Sequence, residues 1–294
     1  MKREVAFAWR SLVVAAGYAG TLALTDALRG HSTDAHSLIW RFVGAASIGL
    51  ALGPIAWSMG PTWKRHMLLW GSIVFFNIAS VTIEGRFFVP GHVQGSLFVL
   101  PLQQLAASLV ATWLIARLFA PIAEAAPIPT MVRPWFSWLW RFAASALSYI
   151  VFYFFFGAIN YLLVTGSYYK TRQGGLLTPP PGVILQAELV RAPLIVLSVV
   201  PFLVAYPGTR PRTALLTGLI LFTVGGLAPL LMEINTLPLL LLGASAVEIF
   251  FQNFCTGMVA ARLLGRPEPD SARRKASEPN RGGETKGAAQ RITT

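Results

Sequence analysis

Residues 183–205 read VILQAELVRAPLIVLSVVPFLVA. The stretch is long enough to cross the hydrocarbon core of a bilayer as a helix. It lacks the polar–apolar alternation of a barrel strand, which leaves the helix as the way to satisfy its backbone in lipid. Yet it carries Glu188 and Arg191, three residues apart and therefore on one helix face. Pro193 follows closely; its ring clashes with the carbonyl of Leu189 and removes an amide donor. A kink beside the ion pair is expected, with a backbone carbonyl freed to face a cavity.

Working outward, seven more segments of this kind appear, at roughly 7–26, 38–57, 66–84, 96–118, 136–164, 213–232 and 237–263. Hydrophobic residues make up 54% of the 294 and charged residues 12%, about half the share usual in soluble domains. The expected fold is an all-α polytopic membrane protein with eight transmembrane helices.

The net charge of +12 raises the question of nucleic acid, and its placement answers it. Lys2, Arg3, Arg10, Lys64, Arg65, Arg117, Arg133, Arg141, Arg210 and Arg212 lie at the N-terminus, in alternate loops or at helix ends, and the tail after Arg262 adds more on the same side. The other side holds Arg29, Arg41, Arg86, Lys170 and Arg172. This is the positive-inside pattern, with both termini cytoplasmic and the plasma (inner) membrane as the expected location. Membrane lipids are the expected surroundings and no nucleic acid is expected as partner. Met1-Lys2-Arg3 before an apolar run resembles the start of a signal peptide, but Glu4 and Arg10 intrude, so the segment reads as a retained first span. Cys255 is the single cysteine, which excludes an intrachain disulfide.

The chain divides into a first transmembrane unit (1–119), a Pro-rich cytoplasmic linker (120–134), a second unit (135–264) and a basic, disordered cytoplasmic tail (265–294). Features of the first unit recur in the second. Trp9-Arg10 matches Trp140-Arg141, Arg41 matches Arg191, Glu84 matches Glu233, Gln103 matches Glu248, and Ala116-Arg117-Leu118 matches Ala261-Arg262-Leu263. Four helices per unit give both units one orientation, so the expected arrangement is a parallel 4+4 internal repeat about an axis along the membrane normal.

A charge in hydrocarbon is costly, and its presence points to a pathway or a partner. Arg41, Glu84, Gln103, Glu188, Arg191, Glu233, Glu248, Gln252 and Asn253 fall mainly in the half of the helices away from the cytoplasm. A polar, outward-facing site for substrate or ion is expected from them. The competing reading makes Arg41 and Arg191 structural partners of Glu84 and Glu233. Glu248 lies deepest and has no basic neighbour in sequence, so it is expected to be protonated, ion-bound or paired from another helix. His31, Asp34, His36 and His92 match no zinc signature, and no metal site is expected. Gly49 and Gly53 form a GxxxG pattern suited to close packing, within the monomer or between copies.

No nucleotide loop, dinucleotide fingerprint, nucleophile elbow or HExxH is present, and no cofactor is expected. Three functions fit the sequence. One is a transporter or flippase-like permease for a small or lipid-linked substrate, an anionic one included, with Glu248 carrying a proton or cation. The second is a noncatalytic assembly factor or sensor, working as a homodimer or with a membrane-protein partner. The third is an integral membrane enzyme acting on a lipid-linked phosphate or glycan at the outer leaflet.

Overall fold

A chain segment in lipid has no water to receive its N–H and C=O groups, and apolar runs therefore close their hydrogen bonds as helices. The structure is a computed structural model that describes residues 2–59, 63–88, 99–119, 131, 133–172, 176–235 and 237–266. All regular structure in these residues is helical. In chain order the helices are α1 (Lys2–Leu28), α2 (Ala35–Met59), α3 (Trp63–Phe88), α4 (Val99–Leu118), α5 (Trp135–Lys170), α6 (Pro181–Ala205), α7 (Arg210–Met232) and α8 (Leu239–Leu264). Most of the expected linker, the tail from 267 onward and His92 lie outside the described residues.

Seven of these helices are long and apolar enough to cross a membrane. The fourth is apolar over the shorter span Leu102–Leu118. The protein is thus a helical, polytopic membrane protein in kind. Its outward faces agree: on α5, Leu147, Val151, Phe155, Leu162 and Leu163 are all exposed, the last two by 82% and 77%. A continuous apolar face of this kind is stable in lipid.

Several boundaries differ from the sequence reading. The third helix spans 63–88 instead of 66–84, and the fifth runs to Lys170 instead of ending near 164. Hydropathy marks the lipid-immersed part of a helix, whereas backbone hydrogen bonding continues through polar residues at the interface. Helix α5 also contains a π turn at Tyr161–Thr165, and α7 another at Thr223–Leu227. Helix α6 is continuous with Pro193 and Pro201 inside it.

The first four helices pack as α1 on α2, α1 on α4 and α3 on α4, with a lighter contact of α2 on α4. The last four pack as α5 on α6, α5 on α8 and α7 on α8, with a lighter contact of α6 on α8. Between the two sets, α3 lies on α6 and α2 lies on α7, while α3 also meets the π turn of α7. Exchanging each helix with the one four places along carries these contacts onto one another, but α6 also touches α7, a contact with no equal between α2 and α3.

The GxxxG pair works inside the monomer. A Cβ on Gly49 would meet the Ser11 backbone of α1 at 3.0 Å, and one on Gly53 would meet Phe119 at 2.7 Å. Small residues let helix backbones approach where lipid provides no hydrophobic drive.

Basic residues close the end of the bundle that carries the end of α8. Arg133 donates to the carbonyls of Leu263 (3.1 Å), Leu264 (3.2 Å) and Gly265 (2.6 Å), and Arg141 donates to Leu263 at 2.8 Å. Arg266 donates to Val204 O at 2.8 Å, at the end of α6. The last carbonyls of a helix lack intrahelical donors and carry its negative dipole end, so guanidinium groups belong there. Burial, together with repulsion from Arg141 and Arg210, holds the Arg133 guanidinium below its ordinary value. At the opposite end Asp34 accepts from the Ser37 amide (2.9 Å) and hydroxyl (2.6 Å), capping α2; these bonds hold its carboxyl below the usual range.

Candidate functional site

Two separate clusters of charged and amide side chains stand out, one within the first four helices and one where α3 meets the second four. In the first, Asp26 of α1 is the centre. Arg41 of α2 donates to its Oδ2 at 2.6 Å, Gln103 of α4 donates to its Oδ1 at 2.8 Å, and the Thr33 hydroxyl adds a bond at 3.1 Å. Gln103 also donates to Leu22 O at 3.2 Å, and its own oxygen receives Arg29 at 3.4 Å. Both oxygens of Asp26 are satisfied. The cluster bolts α1, α2 and α4 together near one end of the bundle. Arg41 therefore pairs with Asp26, a residue that sequence reasoning left aside.

The second cluster is larger. Arg191 of α6 is 3% exposed and reaches three ways. Its Nη1 donates to Glu188 one turn earlier, its Nη2 to Glu84 Oε2 of α3 at 2.5 Å, and its Nε to Ser80 O at 3.1 Å. The Tyr149 and Tyr153 rings of α5 lie 5.9 and 5.6 Å from its guanidinium carbon. Arg191 thus pairs with Glu84 of the other four-helix set, and Arg41 with Asp26, where the pairs expected within each unit were Arg41–Glu84 and Arg191–Glu233. Glu188 Oε2 has no hydrogen-bond partner, although the side chain is fully buried. Glu248 of α8 accepts from the Asn160 amide of α5 at 2.5 Å.

A cavity of about 100 Å³ opens between these groups. Glu84, Arg191 and Glu248 line it, with Gln252 and Asn253 of α8 and Asn77 of α3. The space is enough for several waters or one small polar group. Arg41 and Gln103 belong to the first cluster and do not reach it. Glu233 caps the end of α7 outside the cavity lining. The nine sequence-selected residues are thus divided between two places, with Glu233 at a third.

Three features of the site escaped the sequence reading. One is the polar seam between α3 and α6. Ser72 donates to Ser198 O at 3.1 Å, Asn77 to Ser198 Oγ at 2.9 Å, and Arg191 to Ser80. The spacing 77, 80, 84 places Asn77, Ser80 and Glu84 along one helical stripe, a signal present in the sequence. The second feature is the pair of π turns. One begins directly after Asn160; the other holds Gly225, which lines the cavity. Such turns recur at functional sites because they displace the helix face by one residue.

The third feature is a vestibule of about 490 Å³ beside the cavity. Arg86 and Phe87 end α3 there, Tyr169 and Arg172 end α5, and Pro179 and Pro180 lead into α6. Leu177 ties this strap to α3 by donating to Phe88 O at 2.9 Å. Tyr169 lines both spaces and meets Phe88 edge-on at 6.1 Å, so the two rings form the partition between them. Arg172 adopts a left-handed backbone at φ 53° as it ends α5.

Chemically, the inner cavity sets two carboxylates, Glu84 and Glu248, beside one guanidinium, with Glu188 bound to that guanidinium outside the lining. Tyrosine and amide groups complete a lining suited to hydroxyls, amines and protons. The vestibule is basic and aromatic, with no carboxylate in its described lining. Comparison of the chain with protein-family models, with curated proteins and with solved structures finds no match.

Proposed function

We propose that this protein is a multi-pass permease or flippase-like carrier of the plasma (inner) membrane. In this reading it has eight spans, both termini cytoplasmic, and two four-helix units related by a parallel repeat. The observation that carries the reading is the polar cavity between Glu84, Arg191 and Glu248, set beside the α3–α6 seam where the two units meet. An ionisable cluster kept inside a bundle and open to a cavity is what a substrate pathway requires. The contacts that the two sets of helices share support the repeat, and parallel units can rock against each other about a site at their seam.

Charge divides the labour between the two spaces. The inner cavity favours a neutral or cationic group, because its carboxylates outnumber its arginine. An anionic group is better placed in the vestibule, where Arg86 and Arg172 have no ion-pair partner among the described residues. A small amphiphile fits both, with its phosphate at the vestibule and its hydroxyl- or amine-bearing head in the cavity.

Access to the cavity is the decisive measurement. With Cys255 replaced by serine, Ser245→Cys places a lone thiol on the cavity wall. Membrane-impermeant maleimide is expected to reach it from each side of oriented vesicles, in proportions that shift with the transported compound. In proteoliposomes, short-chain fluorescent phosphate amphiphiles and a panel of polyols and amines supply the substrates. Arg191→Gln is expected to cut flux at least tenfold. A thiol reachable from neither side, with no compound moved, sinks the proposal.

A further inference from the structure

The two clusters are built on the same plan with one exchange of residues. In the first, α1 offers a carboxylate, Asp26, and α4 answers with an amide, Gln103. In the second, α5 offers the amide, Asn160, and α8 answers with the carboxylate, Glu248. Each pair is an amide donating to a carboxylate across equivalent helices of the two sets. The difference lies in the cation. Arg41 stands on Asp26 at 2.6 Å. Arg191, its counterpart in the second set, is held by Glu188 and Glu84. Glu248 has Asn160 and no salt-bridge partner among the described residues.

We propose that Glu248, held by Asn160 across α8 and α5, is a single-proton site that loads from the cavity, while Asp26 is its arginine-locked structural counterpart. The proposal deepens the permease reading by naming the coupling ion, and it rests on that reading only for the use made of the proton. When the site loads, one proton from cavity water adds to the carboxylate and leaves a neutral acid. No other bond changes.

The groups around Glu248 favour this over any other arrangement. From α3 it faces Glu84, a like charge. From α6 it faces Arg191, whose donors go to Glu84, Glu188 and Ser80. From α5 it faces Asn160 and the phenols Tyr149, Tyr153 and Tyr169, which donate neutral hydrogen bonds only. From α7 the lining is Gly225, with no charge. The count near the cavity is three carboxylates to one arginine, and taking up a proton at Glu248 reduces the surplus. Glu188, fully buried with a bare Oε2, is closed to exchange with the cavity by its place behind Arg191. Glu84 is already bound to Arg191 and accepts from Tyr153 at 3.4 Å.

A proton is preferred to a metal ion on geometry. Oxygen-bound cations gather six or so ligands around them. Glu248 Oε2 is occupied by Asn160, and Oε1 lies where a Cβ on Gly157 would come within 3.1 Å of it. The carboxyl is thus pressed against the α5 backbone, with room for a proton and little for a coordination shell. Among the described residues no three His, Cys, Asp or Glu side chains gather to hold a metal.

Infrared spectroscopy of the full chain in lipid nanodiscs tests the assignment, because a protonated carboxyl has a carbonyl stretch of its own. The expected result is a band that titrates with pH, is lost in Glu248→Gln, stays in Asp26→Asn and is unchanged when choline replaces sodium. Gly157→Ala keeps the carboxyl but crowds it, and is expected to shift the band's frequency; this arm serves if Glu248→Gln does not fold. A titrating band that survives Glu248→Gln, or ignores Gly157→Ala, overturns the proposal. A band that sodium abolishes does so as well, and assigns the site to sodium. If the band fails these tests while Ser245→Cys is still labelled from both sides, the proton site falls and the permease stands. If the band behaves as expected and the thiol is never reached, the reverse holds.

Discussion

Arg191 shows what a single guanidinium does when taken out of water. Five N–H donors in a rigid fork allow it to hold Glu188, Glu84 and Ser80 at once, from its own helix and from α3. Its value is best read from its absence. Replacing it leaves Glu188 fully buried without its counter-charge, and breaking a buried pair in this way costs about 3–5 kcal/mol. Arg191→Gln is therefore expected to lower the thermal unfolding midpoint in detergent sharply. Arg41→Gln tests the contrast. That side chain is 27% exposed and pairs with a single carboxylate, so the loss is expected to be about 1 kcal/mol or less. Equal losses from the two variants would contradict this account of their burial. Arg191 and Glu84 were legible in the sequence as costly residues. That Asp26 takes Arg41 was not, because the reading matched residues by position in two halves, while contacts depend on which helix faces which.

At the scale of elements, the helices are set by apolar length, and their refinements by a few small residues. The α7 π turn is one case. Gly225 sits in it with no side chain, and a Cβ there would meet Asn77 Oδ1 at 2.6 Å. Gly225→Ala must push Asn77 away from Ser198, one of the hydrogen bonds of the α3–α6 seam. Overpacking of this kind costs about 1–3 kcal/mol. A matching fall in unfolding temperature is expected for Gly225→Ala, and little further change when Asn77→Ala is added to it. Additive losses would show that the two residues do not press on each other. Hydropathy found the long apolar helices but could not find the π turns, which depend on one inserted residue inside a run that stays apolar throughout. It also stopped α5 short at 164, since polar Ser167 and Lys170 read as loop while their backbone remains helical.

For the whole molecule, α3 with α6 and α2 with α7 are the largest contacts that join the sets of four, with α3 also touching the π turn of α7. They differ in chemistry. The first is a polar seam of serine, asparagine and the Arg191 network. The second is close and smooth, and a Cβ on Gly44 of α2 would meet Ala228 O at 2.7 Å. A rocking motion needs one contact that slides and one that holds discrete states, and the seam beside the cavity has the bonds to define those states. Linking Ser72→Cys to Ser198→Cys in the cysteine-free chain is expected to stop flux while leaving the infrared band of Glu248 in place; restoration by reductant checks it. Unchanged flux in the linked protein would move the working motion away from this seam.

The sequence by itself determined that the chain is helical and membrane-embedded, because the cost of bare backbone and bare charge in hydrocarbon leaves few alternatives. It also marked which side chains are expensive. Only the tertiary structure decided their company: which carboxylate meets which arginine, that the polar residues split into one cluster around Asp26 and another around a cavity, and that Glu248 is left with an amide instead of a cation. Those outcomes depend on how helices distant in the chain turn toward each other, and no local pattern of apolar residues encodes that rotation.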